Sequence, residues 1–170
     1  MIAMASASPS HRESFLVPSQ LDGVGEVLAR FERLRSAQIN DTLWVEGQTA
    51  LMEGFTNAVR HAHRDLSPPP PIAIELSRSS VELRIQIDDH GPGYDMEEAW
   101  RQLDREQASS DYDPLEREAH WGLVLLRQLQ RQRGWQITYQ RRREQGYRLS
   151  ISHRIDPLPS QAPSGAGSGG

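Results

Sequence analysis

Apolar residues recur along the chain with helical and then with strand period, and the switches between the two mark out the elements. Leu21, Val24, Val27, Leu28, Phe31 and Leu34 follow helical spacing. Ser19-Gln-Leu-Asp22 precedes them, with a hydroxyl available to an orphan amide and an acid suited to a first turn. Trp44, Gln48, Leu51, Phe55, Ala58, Val59 and Ala62 recur at three- and four-residue steps and predict a second helix from about Asp41 to His63. Leu66-Ser-Pro-Pro-Pro-Pro71 stops it, because proline has no amide to donate, and reads as a stiff connector to a strand.

Ile72, Ile74 and Leu76, then Val81, Leu83, Ile85 and Ile87, alternate with polar residues around Arg78-Ser-Ser, which predicts an antiparallel hairpin with one buried face. Met96 to Arg105 reads as a short helix, followed by an irregular acidic stretch reaching Trp121, the kind of segment that serves as a lid. Gly122-Leu-Val-Leu-Leu begins a strong helix that Gly134 is placed to cap. Trp135, Ile137 and Tyr139, then Tyr147, Leu149 and Ile151, alternate around Arg143-Glu-Gln-Gly146 and predict a second hairpin. This order predicts an α/β (α+β) two-layer sandwich, with helices on one face of a mixed, mostly antiparallel sheet. The domain is expected to span residues 15–156, between a disordered N-terminus of residues 1–14 and a disordered tail of residues 157–170. That tail, PLPSQAPSGAGSGG, has almost no apolar anchor to offset its ordering entropy.

Composition narrows the function classes. An apolar content of 36% over 170 residues and a mean hydropathy of -0.65 fit a soluble protein with one modest core. A net charge of -4 gives no support for a nucleic acid or an anionic membrane as the main partner. The absence of cysteine excludes disulfides, Cys-ligated zinc and thiol chemistry. No run approaches the roughly 18 apolar residues of a bilayer span. The opening MIAMASASPSHRESF lacks the basic start and long apolar run of a leader, so a cytoplasmic location is expected.

Two strings carry candidate chemistry. Glu53-Gly-Phe-Thr-Asn57-Ala-Val-Arg-His61 puts a carboxylate and a carboxamide at i and i+4, on one face of the predicted second helix. Asp89-His-Gly91-Pro-Gly93 ends a predicted strand with a carboxylate and a glycine-spaced turn, where backbone approaches a ligand closely. Each string alone is ordinary, since polar pairs decorate most helix faces and Asp and Gly are common turn residues. His61 and His63 lie two apart on a helix, roughly 200° around it, and make poor joint metal ligands. Asp88, next to Asp89 on a strand, faces away from any pocket that Asp89 lines. Arg141-Arg-Arg143 reads as a solvated hairpin end.

Together with the later Gly122-Leu-Val-Leu-Leu helix, the two strings resemble the three boxes of the GHKL (Bergerat-fold) ATPase superfamily. Over roughly residues 15 to 155 they look most like the anti-sigma-factor serine kinases of bacterial partner-switching systems. The resemblance implies ATP with Mg2+ as cofactors, a sigma factor or similar target that is sequestered, and a small antagonist protein phosphorylated on serine; it leaves the oligomeric state open, a homodimer included. It also implies roles. Glu53 matches the general base, Asn57 the magnesium ligand, and Asp89 the acceptor of a hydrogen bond from the adenine amino group. Gly91 and Gly93 match the turn glycines beside the base, and Gly122 and Leu123 match the head of the last helix. The third box departs from the family pattern, which has several glycines where this chain has Glu118-Ala119-His120-Trp121-Gly122. Gly146-Tyr147 likewise stands where a Gly-Thr pair is usual. A non-catalytic switch module of the same fold, acting by protein binding alone, is therefore the alternative reading.

Overall fold

A computed structural model describes residues 11–109 and 121–156. Five strands form one sheet in the order β1-β2-β3-β5-β4: β1 (His11–Val17), β2 (Ile72–Arg78), β3 (Glu82–Asp89), β4 (Gln136–Arg141) and β5 (Tyr147–Arg154). Every neighbouring pair is antiparallel. The sheet is thus wholly antiparallel rather than mixed: β2–β3 and β4–β5 close as hairpins, β5 pairs with β3 across the intervening helices, and β1 joins the free edge of β2 in the opposite sense. Alternation places Ile74 opposite Ile87, Ile87 opposite Leu149, and Ile85 opposite Ile151. These side chains are buried and make one continuous apolar face.

The helices α1 (Val24–Glu32), α2 (Asp41–Asn57), α3 (Met96–Gln107) and α4 (Trp121–Gln132) complete an α+β two-layer sandwich. Asn40 caps α2, its side-chain oxygen accepting the Leu43 amide at 2.8 Å. Gly54, inside the C-terminal part of α2, costs about 1 kcal/mol against alanine in helix propensity. Its lack of a side chain lets the helix sink onto the sheet, since a Cβ there would lie 2.6 Å from Ile87 Cδ1 and 2.9 Å from Leu149 Cδ2. That close approach brings Glu53 and Asn57 down beside the end of β3.

Three features differ from the sequence expectation. First, β1 begins at His11, inside the segment expected to be disordered to residue 14. Its residues alternate between half-buried and exposed, with only Val17 fully buried, so a partly solvated edge strand leaves little apolar period to read. Second, α2 ends at Asn57 and passes into a single π-turn, Ala58–Ala62, in which the His63 amide donates to the Ala58 carbonyl at 2.9 Å. Such single-turn widenings are frequent at functional sites. Third, α3 runs on to Gln107. The expected tail, residues 1–10 of the expected disordered N-terminus, and the lid positions 110–120, including Ala119 and His120, lie outside the described residues.

Candidate functional site: a carboxylate-floored pocket between α2, β3 and α4

At its C-terminal end β3 presents two carboxylates to opposite faces of the sheet. Asp88 points to the polar face, where the Arg148 guanidinium donates to it twice, at 2.6 and 2.7 Å. Asp89 points to the helix-covered side and is only 4% exposed. Its Oδ1 accepts the Gly91 amide at 2.8 Å and its Oδ2 accepts the Tyr139 hydroxyl at 2.8 Å. A buried carboxylate is tolerated only when hydrogen-bonded, and these two donors supply that.

Asp89 lines a cavity of about 390 Å³ together with Asn57, Gly93 and Leu123, all sequence candidates, and with Tyr94 and Tyr139. Its apolar walls come from Ile87, Leu126 and Leu149. Gly91 lies behind Asp89 against the π-turn, where a Cβ would fall 2.5 Å from the Ala62 carbonyl oxygen. Gly93 takes φ +74°, a conformation that glycine adopts without strain, and its Cα faces the Tyr147 ring.

Glu53 and Gly122 meet at the edge of this cavity rather than in its lining. A Cβ on Gly122 would collide with Glu53 Oε2 and would lie 3.4 Å from Asn57 Oδ1. The head of α4 therefore sits over the carboxylate and carboxamide that α2 presents one turn apart. Partial burial raises the Glu53 pKa above its usual value, an effect that the nearby Arg60 charge opposes. A half-buried carboxylate poised in this way suits a general base, and the adjacent neutral amide oxygen suits a hard cation.

Two residues of the site were not anticipated. His63 is buried, its Nδ1 bonded to Ser19 Oγ at 3.0 Å and its Nε2 accepting the His90 amide at 2.9 Å. Since Nε2 accepts, the ring is neutral and Nδ1 carries the proton; burial accordingly lowers its pKa. Tyr139 is packed between Tyr147, at a centroid distance of 5.0 Å, and Tyr94, at 4.9 Å. The hydroxyl that reaches Asp89 thus comes from β4, not from Tyr147, where the family resemblance would place a threonine. Tyr139 showed in the sequence only as one member of an alternating strand.

The residues fit an adenine nucleotide. Asp89 offers an acceptor on the pocket floor, and apolar side chains with Tyr94 and Tyr139 line the walls around it. Among the described residues no group of three or more His, Asp or Glu side chains is arranged to hold a metal ion. Magnesium, which binds through one or two protein oxygens with phosphates and water, needs no such group. No helix of the described residues is long and apolar enough to cross a membrane. Sequence comparison found no match among curated proteins. A family model for the histidine kinase-like ATPase domain matches residues 17–152, spanning every element from the end of β1 into β5. With Asp89 flooring a pocket that Asn57 and the head of α4 close, the chain belongs to the histidine kinase-like ATPase domain family of the GHKL superfamily, whose ATPase-like character implies ATP binding.

Proposed function

We propose that the chain is an ATP- and magnesium-binding regulator of anti-sigma type, which sequesters a protein target and phosphorylates a serine of a small antagonist protein. The observation that carries this reading is the contact of Glu53 with Gly122, one turn from Asn57, at the mouth of the Asp89 pocket. Asp89 receives the purine amino group, and Asn57 Oδ1 holds Mg2+ without adding negative charge beside a triphosphate. ATP supplies the γ-phosphoryl group. Glu53 accepts the proton of the serine hydroxyl as that oxygen replaces ADP on the phosphorus, so the carboxylate ends neutral and the serine phosphorylated. Phosphoryl transfer needs positioning and charge neutralisation above all, which is what a base, a cation ligand and a helix head in one place provide.

The alternative, a switch acting by binding alone, draws on Trp121, which stands 43% exposed at the head of α4 where the resemblance expects small residues. Two measurements test the nucleotide site and then separate the readings. A fluorescent ATP analogue titrated with and without magnesium tests the nucleotide site. Radiolabelled ATP incubated with the chain and a candidate antagonist tests transfer, and label on an antagonist serine is the result that the kinase reading requires.

A further inference from the structure

We infer that Tyr139 sets the base preference of the pocket by clamping the Asp89 carboxylate, an inference that rests on the nucleotide reading of the site. Asp89 is held by two donors from separate elements, the Gly91 amide on Oδ1 and the Tyr139 hydroxyl on Oδ2, each at 2.8 Å. A carboxylate oxygen has two lone pairs, so each oxygen keeps one for the cavity that Asp89 and Tyr139 both line. With both oxygens engaged, the carboxylate cannot rotate without breaking a charge-assisted hydrogen bond.

Tyr139 is itself immobilised. Its ring stacks on Tyr147 at 5.0 Å with 22° between planes and meets Tyr94 at 4.9 Å with 33°. Burial and the Asp89 charge push its phenol above the usual 10, so it stays a donor across the ordinary pH range. The floor of the pocket is consequently a fixed acceptor. A base with an amino group at the purine 6 position brings a donor to it. A base with oxygen there brings a second acceptor, and a clamped carboxylate cannot turn aside to relieve the repulsion or admit a bridging water. Unpaired polar groups of this kind are where binding sites gain their largest discrimination.

The test is Tyr139→Phe, which keeps the ring and the stack and removes only the hydroxyl. ATP and inosine triphosphate, which differ at the purine 6 position and the adjoining ring nitrogen, compete against a fluorescent ATP analogue on parent and variant. The parent should prefer ATP, and the variant should lose about tenfold of that preference, mainly through improved binding of inosine triphosphate relative to ATP. A variant that keeps the parent's ratio, even at lower affinity for both, overturns the role of Tyr139 while leaving the nucleotide site standing. A parent that binds neither triphosphate overturns the nucleotide reading and this inference with it.

Discussion

Gly122 lies so close to Glu53 that a methyl group on its Cα would meet the Glu53 Oε2 oxygen. The contact joins the head of α4 to the C-terminal part of α2, elements far apart in sequence, and it is made at the tip of a flexible side chain. Gly122→Ala should therefore displace the carboxylate rather than unfold the domain. A displacement of about 1 Å at a reacting group can cost about 10²-fold in rate, so serine phosphorylation should fall by that order while thermal stability stays near the parent's. Unchanged turnover in Gly122→Ala would mean that Glu53 has no fixed catalytic position.

Asp89→Asn tests the pocket floor. The parent carboxylate accepts from both Gly91 and Tyr139, whereas an amide keeps one acceptor oxygen and turns a donor toward the other partner. ATP affinity should weaken by about 1.5–3 kcal/mol, the range for a hydrogen bond to a charged group. GTP, with oxygen at the matching purine position, should be affected less. Equilibrium titration of both nucleotides checks this, and equal small effects would remove Asp89 from base recognition.

The parts of the site legible in the sequence were those set by local period. Glu53 and Asn57 share a helical stripe, Asp89 and Asp88 alternate across a strand, and both geometries are present as expected. What the sequence hid depends on contacts between distant segments. His63 bonds to Ser19 and His90, 44 residues before it and 27 after it. Tyr139 reaches Asp89 across 50 residues. Neither pairing leaves a spacing to detect. The π-turn is similar: its residues have helical character, and only the shift of the His63 amide onto the Ala58 carbonyl marks the change. β1 escaped notice because Arg12 and Ser14 on its polar side answer to Glu75 of β2 and not to an apolar repeat of their own.

His63 makes the site acid-sensitive. Its two bonds require the neutral ring, and burial together with the neighbouring His90 lowers its pKa from 6.5, against the raising effect of Asp89. Below 6.5 the unfolded chain therefore binds this proton more readily than the folded one. The stabilisation is fully present above that pH and is lost as pH falls toward the lowered folded value. Melting temperature should drop as pH falls below 6.5, and ATP binding should weaken over the same range, because the His90 amide next to Asp89 loses its acceptor. In His63→Gln both dependences should flatten. Equal slopes in parent and variant would place the acid sensitivity elsewhere.

Glu53 and Asn57 are assigned different jobs one turn apart, and paired substitutions separate them. Glu53→Gln keeps shape and polarity but takes no proton, so phosphorylation should fall by about 10²–10⁴-fold, the usual worth of a positioned base. Nucleotide affinity should change little. Because partial burial raises the Glu53 pKa above 4.5, parent activity should fall with acidification at a pH above that ordinary value, as the base becomes protonated. Asn57→Ala removes a neutral cation ligand, so it should abolish the magnesium-dependent part of ATP affinity and the activity with it, while leaving metal-free nucleotide binding near the parent's. Calorimetric titration with and without magnesium, run beside a serine-phosphorylation assay, reads both. If Glu53→Gln phosphorylates normally, Glu53 is not the base, and if Asn57→Ala binds magnesium-ATP as the parent does, Asn57 is a structural part of the pocket wall and not the cation's ligand.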